Sequence, residues 1–150
     1  MNHVAATKSV SSAALAVTSA QTASLEIDTL GYNHASIDVL FSPFTAAANP
    51  TTAATVLRVA HSDTTGTSGQ ANVSGFVGGI DFTVAAGNTA VSALGYSHRF
   101  DIDLRGKRRY LTVYATPAST CGVVTTARLS KGEAGPTGAA AKGVVTQAVG

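Results

Sequence analysis

Apolar and polar residues alternate with a period of two in short runs through the middle of this chain. In SLEIDTL, Leu25 and Ile27 alternate with Glu26 and Asp28, which puts apolar and charged side chains on opposite faces of a strand. ASIDVLFSP follows, and then TVLRVAHS, with Leu57 and Val59 on an inward path. ANVSGFV, IDFTVAA, SHRFDIDL, RRYLTVYATP and GVVTTARLS complete the set. Clusters of Gly, Asn, Asp and Pro separate the runs, as in SDTTGTSGQ and AAGNTAVSALG, and supply turn chemistry. Pro43, Pro50 and Pro117 fall at strand ends or in loops, where a missing amide donor does no harm. About eight short strands with no long helical pattern predict an all-β fold, an antiparallel, jelly-roll-like β-sandwich.

One pattern occurs twice. LEIDTLGYNHASIDVLF at 25–41 aligns without gaps on FDIDLRGKRRYLTVYAT at 100–116. Leu25 matches Phe100, Glu26 matches Asp101, Ile27 matches Ile102, Asp28 matches Asp103 and Gly31 matches Gly106. Both segments predict a hairpin: strand, tight glycine turn, strand, with the glycine free to take positive φ and the isoleucine facing the core. Two explanations stand, pseudo-symmetry across a sandwich or convergence on common hairpin chemistry.

Composition divides the chain into three zones: an N-terminal arm over 1–23, a β-sandwich domain over 24–130, and a glycine/alanine-rich tail over 131–150. The arm, rich in Ala, Ser and Thr and nearly uncharged, lacks both the charged start and the continuous apolar centre of a signal peptide. It is expected as an extended arm or a short docked helix. In the tail, GEAGPTGAA holds three G-x-y triplets, but Ala141 stands where the next glycine is needed. Collagen requires that glycine, so the tail is expected to be flexible or draped on the surface. No stretch reaches the roughly eighteen apolar residues of a membrane-spanning helix.

Only 12% of residues are charged and the net charge is +2, with 45% hydrophobic. Ordinary domains carry about 25% charged residues. So sparse a set fits either a small-residue soluble β protein or a surface largely committed to another protein, because interface centres are depleted in charge. The single cysteine, Cys121, has no partner for an internal disulfide and no activating neighbour, and is expected as a buried, inert thiol.

The chain carries no G-x-S-x-G elbow, Walker loop, H-E-x-x-H or paired C-x-x-C. His3, His34, His61 and His98 are scattered singly. His61 and His98 fall in predicted strands that the fold can bring together, with Asp63 as a neighbour, yet a metal needs further ligands. Asp101 and Asp103 point the same way from one strand, beside Glu26 and Asp28 of the matching segment. Two carboxylates suit glycoside hydrolysis, but there is no Trp and few aromatic rings to stack a sugar. The expectation is a protein that is not an enzyme and takes no metal or cofactor.

Charge is concentrated in one place. Five of the ten basic residues, Arg99, Arg105, Lys107, Arg108 and Arg109, lie within eleven positions around Gly106. Asp101 and Asp103 can pair with some, leaving at least two cations in excess. The tip is either a solvated turn that discourages aggregation or a basic knob for an acidic partner. Nucleic acid is a poor fit, because the rest of the chain is not basic and offers no interleaved rings.

The succession LRVAHSDTTG, VSGFVGGIDFTV and RFDIDLRGKRRYLTVYATP, closed by ARLSKGEAGP, resembles the small head-decoration or cement proteins encoded beside the major capsid gene of tailed bacteriophages. The resemblance covers about residues 24–135. It implies a β-rich structural protein that binds the outer surface of the expanded capsid between capsomers. It implies the major capsid protein as partner and a homo-oligomer, a trimer or a dimer, present in the host cytoplasm during assembly and then on the virion. Charge and turn geometry make Arg105, Lys107, Arg108 and Arg109 the expected contact residues, with neither nucleic acid nor membrane as partner. The alternative is a receptor- or carbohydrate-binding sandwich module of a tail fibre or baseplate.

Overall fold

The computed structural model describes residues 7–18, 21–44, 56–84, 95–132 and 143–144. These form nine strands: β1 (Lys8–Ser11), β2 (Leu15–Val17), β3 (Ala23–Asp28), β4 (His34–Phe41), β5 (Val56–Ser62), β6 (Ala71–Val77), β7 (Tyr96–Asp103), β8 (Tyr110–Thr116) and β9 (Cys121–Ser130). One sheet runs β1-β9-β4-β7, with β2 following β1 along the same edge of β9, and the other runs β3-β8-β5-β6. Every strand pairing is antiparallel. The chain is an antiparallel β-sandwich with open edges, not a closed barrel.

The core follows from the alternation. Ala35, Ile37, Val39 and Phe41 of β4 are buried, as are Leu25 and Ile27 of β3 and Leu111 and Val113 of β8. Side chains between them point outward, so each sheet turns one apolar face to the other. Phe76 and Phe82 reach Phe100 edge-on or tilted, with centroids 5.8 and 5.6 Å apart, and so fill the β6–β7 side of the sandwich.

Seven of the eight expected strands form. IDFTVAA does not: its described residues make a tight turn in which Asp81 N–H donates to Val77 O at 2.8 Å and Gly79 N–H to Phe82 O at 2.8 Å. Gly78 permits this turn to pack against β5, because a Cβ there would strike Val84 and sit 2.8 Å from Leu57 O. The arm, expected as extended chain or a docked helix, supplies two further strands, β1 and β2. Pro43 and Pro117 lie just past the ends of β4 and β8; Pro50 is outside the described residues.

The two matching segments are not hairpins. β3 leaves one sheet and β4 enters the other; β7 and β8 make the reverse crossing. Each segment therefore bridges the sandwich, and the pairing is reciprocal: Ile27 of β3 lies opposite Leu111 of β8, and Ala35 of β4 opposite Ile102 of β7. The corners match bond for bond. Leu30 N–H donates to Asp28 Oδ1 at 3.1 Å and Arg105 N–H to Asp103 Oδ1 at 3.0 Å. Tyr32 N–H donates to Thr29 O, and Lys107 N–H to Leu104 O, both at 3.0 Å. Gly31 (φ 83°) and Gly106 (φ 75°) occupy the third turn position, where positive φ favours glycine.

At Gly31 and Gly106 an added Cβ meets nothing within 4 Å, so Gly106→Ala is expected to cost only the left-handed backbone penalty, about 1–2 kcal/mol. Gly78→Ala, which must also move Leu57 backbone, is expected to cost more. Urea denaturation of the two variants measures the difference.

Candidate functional site: the charged end of the sandwich

Because β3 ends where β8 begins, both corners and the loop after β5 lie at one end of the molecule. Asp28, Asp63, Asp103, Arg105, Lys107, Arg108 and Arg109 gather there. Asp28 closes the β3 corner, and its carboxylate takes Arg109 Nε and Nη2 at 2.9 and 2.7 Å. Asp103 closes the β7 corner and takes Arg105 Nη2 at 2.5 Å. Arg108 donates Nη1 to Gly69 O at 2.8 Å and lies 3.6 Å from Asp63. Among the four expected contact residues, Lys107 alone makes no side-chain hydrogen bond or ion pair.

The expected excess of two or more cations at the turn therefore shrinks. The sequence offered Asp101 and Asp103 as counter-ions, but Asp28 and Asp63 arrive from β3 and the β5 loop, far away in the chain. The pairs remain exposed, with Arg105 77% and Arg109 44% accessible in their side chains, so solvent screens them and they add little to stability. Their effect is positional: each carboxylate takes Nε and Nη2 of its arginine and so fixes the guanidinium plane. Leu30, whose N–H shares Asp28 with Arg109, is 66% exposed. An exposed apolar side chain thus sits on the corner whose acid holds Arg109.

Electrostatics follow the geometry. Arg109's hydrogen bond holds Asp28 below its ordinary pKa against a smaller opposing effect of burial. Arg105's side chain, and then its N–H, hold Asp103 well below the carboxylate range. His61 accepts the Arg108 N–H on Nδ1 at 3.2 Å. Burial, then Arg108 and Lys107, lower its pKa, while Asp63 opposes them.

His61 and His98 do not meet. His61 is at the charged end of β5, while His98 sits further along β7 in the other sheet, edge-on to Phe41 and Tyr96 at 5.9 and 5.8 Å. Its Nε2 is buried without a hydrogen-bond partner, and burial lowers its pKa. No group of three or more His, Cys, Asp or Glu suited to a metal occurs among the described residues. Asp101 and Asp103 face outward from one sheet and Glu26 and Asp28 from the other, so the four carboxylates do not converge. Cys121 is buried, and burial raises its pKa to about 11.

Register assembles one constellation that the sequence concealed. Ser130, His34 and Asp103 are cross-strand neighbours in consecutive strands, with Ser130 Oγ 3.3 Å from His34 Nδ1. The row is not a catalytic relay, because Asp103 is held by Arg105 and makes no hydrogen bond to His34. A recess of about 770 Å³ between residues 56–58 and 77–84 contains Arg58 and Asp81. Both are engaged, Arg58 by Asn72 and the Tyr114 ring and Asp81 by Val77 N–H.

The loop SDTTGTSGQ was also understated by its composition. It folds back over the outer face of its sheet: Gly66 N–H donates to Glu26 at 2.7 Å, Gln70 Nε2 to Thr112 Oγ1 at 3.0 Å, and Tyr114 OH to Gln70 at 2.6 Å. This roof buries Ala60 and Thr112 and places Gly69 against Arg108.

Comparison of the sequence with models of known protein families finds no match, and comparison with individual curated proteins finds no significant match.

Two outcomes are expected. His61 and His98 have folded pKa values below the ordinary 6.5, so the unfolded chain binds protons first on acidification. Their contribution to stability is whole above pH 6.5 and is lost as pH falls through the lowered values. His61→Asn, which retains an acceptor for Arg108 N–H, flattens part of that loss in urea titrations across pH 4–8. Cys121, with its pKa at about 11, resists a thiol reagent at neutral pH in the native protein and reacts fully after unfolding.

Proposed function

We propose that this protein is a structural component of a bacteriophage virion, binding the exterior of the expanded capsid between capsomers and stabilising it. The major capsid protein is its partner, and a homo-oligomer, a trimer by resemblance, is its working form. The sequence resemblance over residues 24–135 supports the class of function. The geometric support is the charged end, where exposed Leu30 and half-buried Lys107 lie on the two corners whose acids, Asp28 and Asp103, hold guanidinium groups. An apolar anchor within a polar rim is the usual anatomy of a binding surface. Pre-oriented arginines lose less freedom on docking than free ones.

The role requires no bond to be made or broken. A protein that binds only the expanded shell stabilises that shell by about 2.7 kcal/mol per site at a hundredfold excess over Kd. Several copies linked in one oligomer add avidity across neighbouring capsomers. Modest affinity at each site is then sufficient.

Purified protein is expected to sediment with expanded heads and not with unexpanded ones. Equal binding to both, or to neither, removes the proposal. Leu30→Asp combined with Lys107→Glu is expected to lower occupancy about tenfold, or 1.4 kcal/mol per site. Neither side chain is needed by the corner hydrogen bonds, so thermal unfolding of the free protein stays unchanged.

A further inference from the structure

The N-terminal arm is attached to the body by backbone pairing along one edge of β9, with Val17 as the fully buried side chain of its two strands. β1 lies along β9 with Val10 opposite Ala127 and Ser11 opposite Thr126. β2 continues along the same edge with Leu15 opposite Val123 and Val17 opposite Cys121. Between them residues 12–14 face only residues 124–125 of β9, a bulge of one extra residue. Ser12 fills that gap, donating its N–H to Thr125 O at 2.8 Å and accepting Thr125 N–H on Oγ at 2.9 Å. The bulge returns Val10, Leu15 and Val17 to the inward side, yet only Val17 is fully buried and Leu15 is 50% exposed. A strand edge of this kind accepts any segment of matching sequence.

The joint between arm and body is light. Gln21 N–H donates to Thr18 O at 3.0 Å, and Gln21 Oε1 accepts from Thr18 N and Oγ1 at 3.3 Å. A recess of about 380 Å³ is lined by Leu15–Val17 and residues 21–23, so space remains beside the joint. Lys8 is the only charge on β1 and β2, and two arms can pass each other without strong repulsion. One contact opposes release. Gly143 (φ 72°) presses on Ser9 so closely that a Cβ would overlap its carbonyl oxygen.

We propose that the arm is an exchangeable strand: residues 8–17 of one copy add to β9 of a second copy in the same register, where the contact between Ser9 and Gly143 is remade. The interactions of closed and exchanged arms are alike apart from the joint. The balance is therefore set by concentration, and the closed form dominates until protein reaches about the millimolar effective concentration of a short tether. This inference does not rest on the capsid reading, and its test uses no heads.

The test replaces Cys121 by Ala throughout. One protein carries Ser11→Cys and a second carries Thr126→Cys. These positions face each other across an antiparallel pair, where Cα atoms are about 4.5–5.5 Å apart, within disulfide range. The two proteins are refolded together and oxidised. Each has one thiol, so a bond between positions 11 and 126 forms only if an arm sits on another copy's β9. A mixture of Ser11→Cys with Thr67→Cys, on the exposed roof loop, gives the background from random collision.

The expected result is a disulfide-linked 11–126 heterodimer well above that background near 1 mM, falling about a hundredfold at 10 µM. A yield at background level at every concentration overturns the exchange. Failure of Ser11→Cys with Thr126→Cys in one chain to form an internal disulfide also overturns it, since the arm would not occupy β9 at all.

Discussion

Two sheets can share one core only if the chain crosses between them, and two of the crossings, β3 to β4 and β7 to β8, occur at the same end and depend on each other. β3 has its hydrogen-bond partner in β8, and β4 has its partner in β7, so neither corner provides the pairing for its own strands. Thr29 anchors the junction, donating its hydroxyl to Arg109 O at 2.6 Å across 80 residues. Leu104 N–H makes the corresponding bond to Asn33 O at 3.0 Å. Closing so long a loop is entropically costly before the contacts form. A stiff corner lowers that cost, because a carboxylate cap and a positive-φ glycine restrict the turn before it meets its partner.

The cluster of cations around Gly106 has its origin in that requirement. Each corner needs an acid at its first position to cap the turn, and those acids, Asp28 and Asp103, remain partly exposed. Arg109 and Arg105 are their counter-ions, brought in by the adjacent backbone. Arg108 spans to Asp63 and Gly69, fastening the roof loop to the same junction. Lys107 and Leu30 are left outside the arrangement, which is why the proposed binding role falls on them more than on the arginines.

The strands were legible because alternation records which side of a sheet a residue faces. It does not record which strand lies alongside. A glycine turn between two alternating runs reads as a hairpin, yet residues 29–33 and 104–109 are long enough to carry the chain across the core instead. The arm escaped the same reading because its inward residues Val10, Leu15 and Val17 are thrown out of a period of two by the bulge at residues 12–14 and are set among Ala and Ser. IDFTVAA erred the other way: its alternation is real, but Gly78 and the Asp81 carboxylate bonded to Val77 N–H at 2.9 Å fold it into a turn. The charged site was half visible. Its cations are contiguous in sequence, whereas two of its three acids come from other strands.

The correspondence between corners extends to a third strand. β5 pairs with β8 as β9 pairs with β4, so the orders β3-β8-β5 and β7-β4-β9 correspond strand for strand when the sheets are exchanged. β3 to β5 and β7 to β9 are thus equivalent units, with their registers offset by one residue at the shared pairings. Beyond each unit one edge position remains. Beside β5 it is filled by β6, which follows β5 through the hydrogen-bonded roof loop and is locked by Phe76 on Phe100. Beside β9 it is filled by the arm, which arrives from the far end of the chain through the Thr18–Gln21 joint. The same architectural position is held by covalent connection on one side and by edge hydrogen bonds on the other. The arm is therefore the strand that the scaffold can release while keeping both three-strand units and the core between them intact.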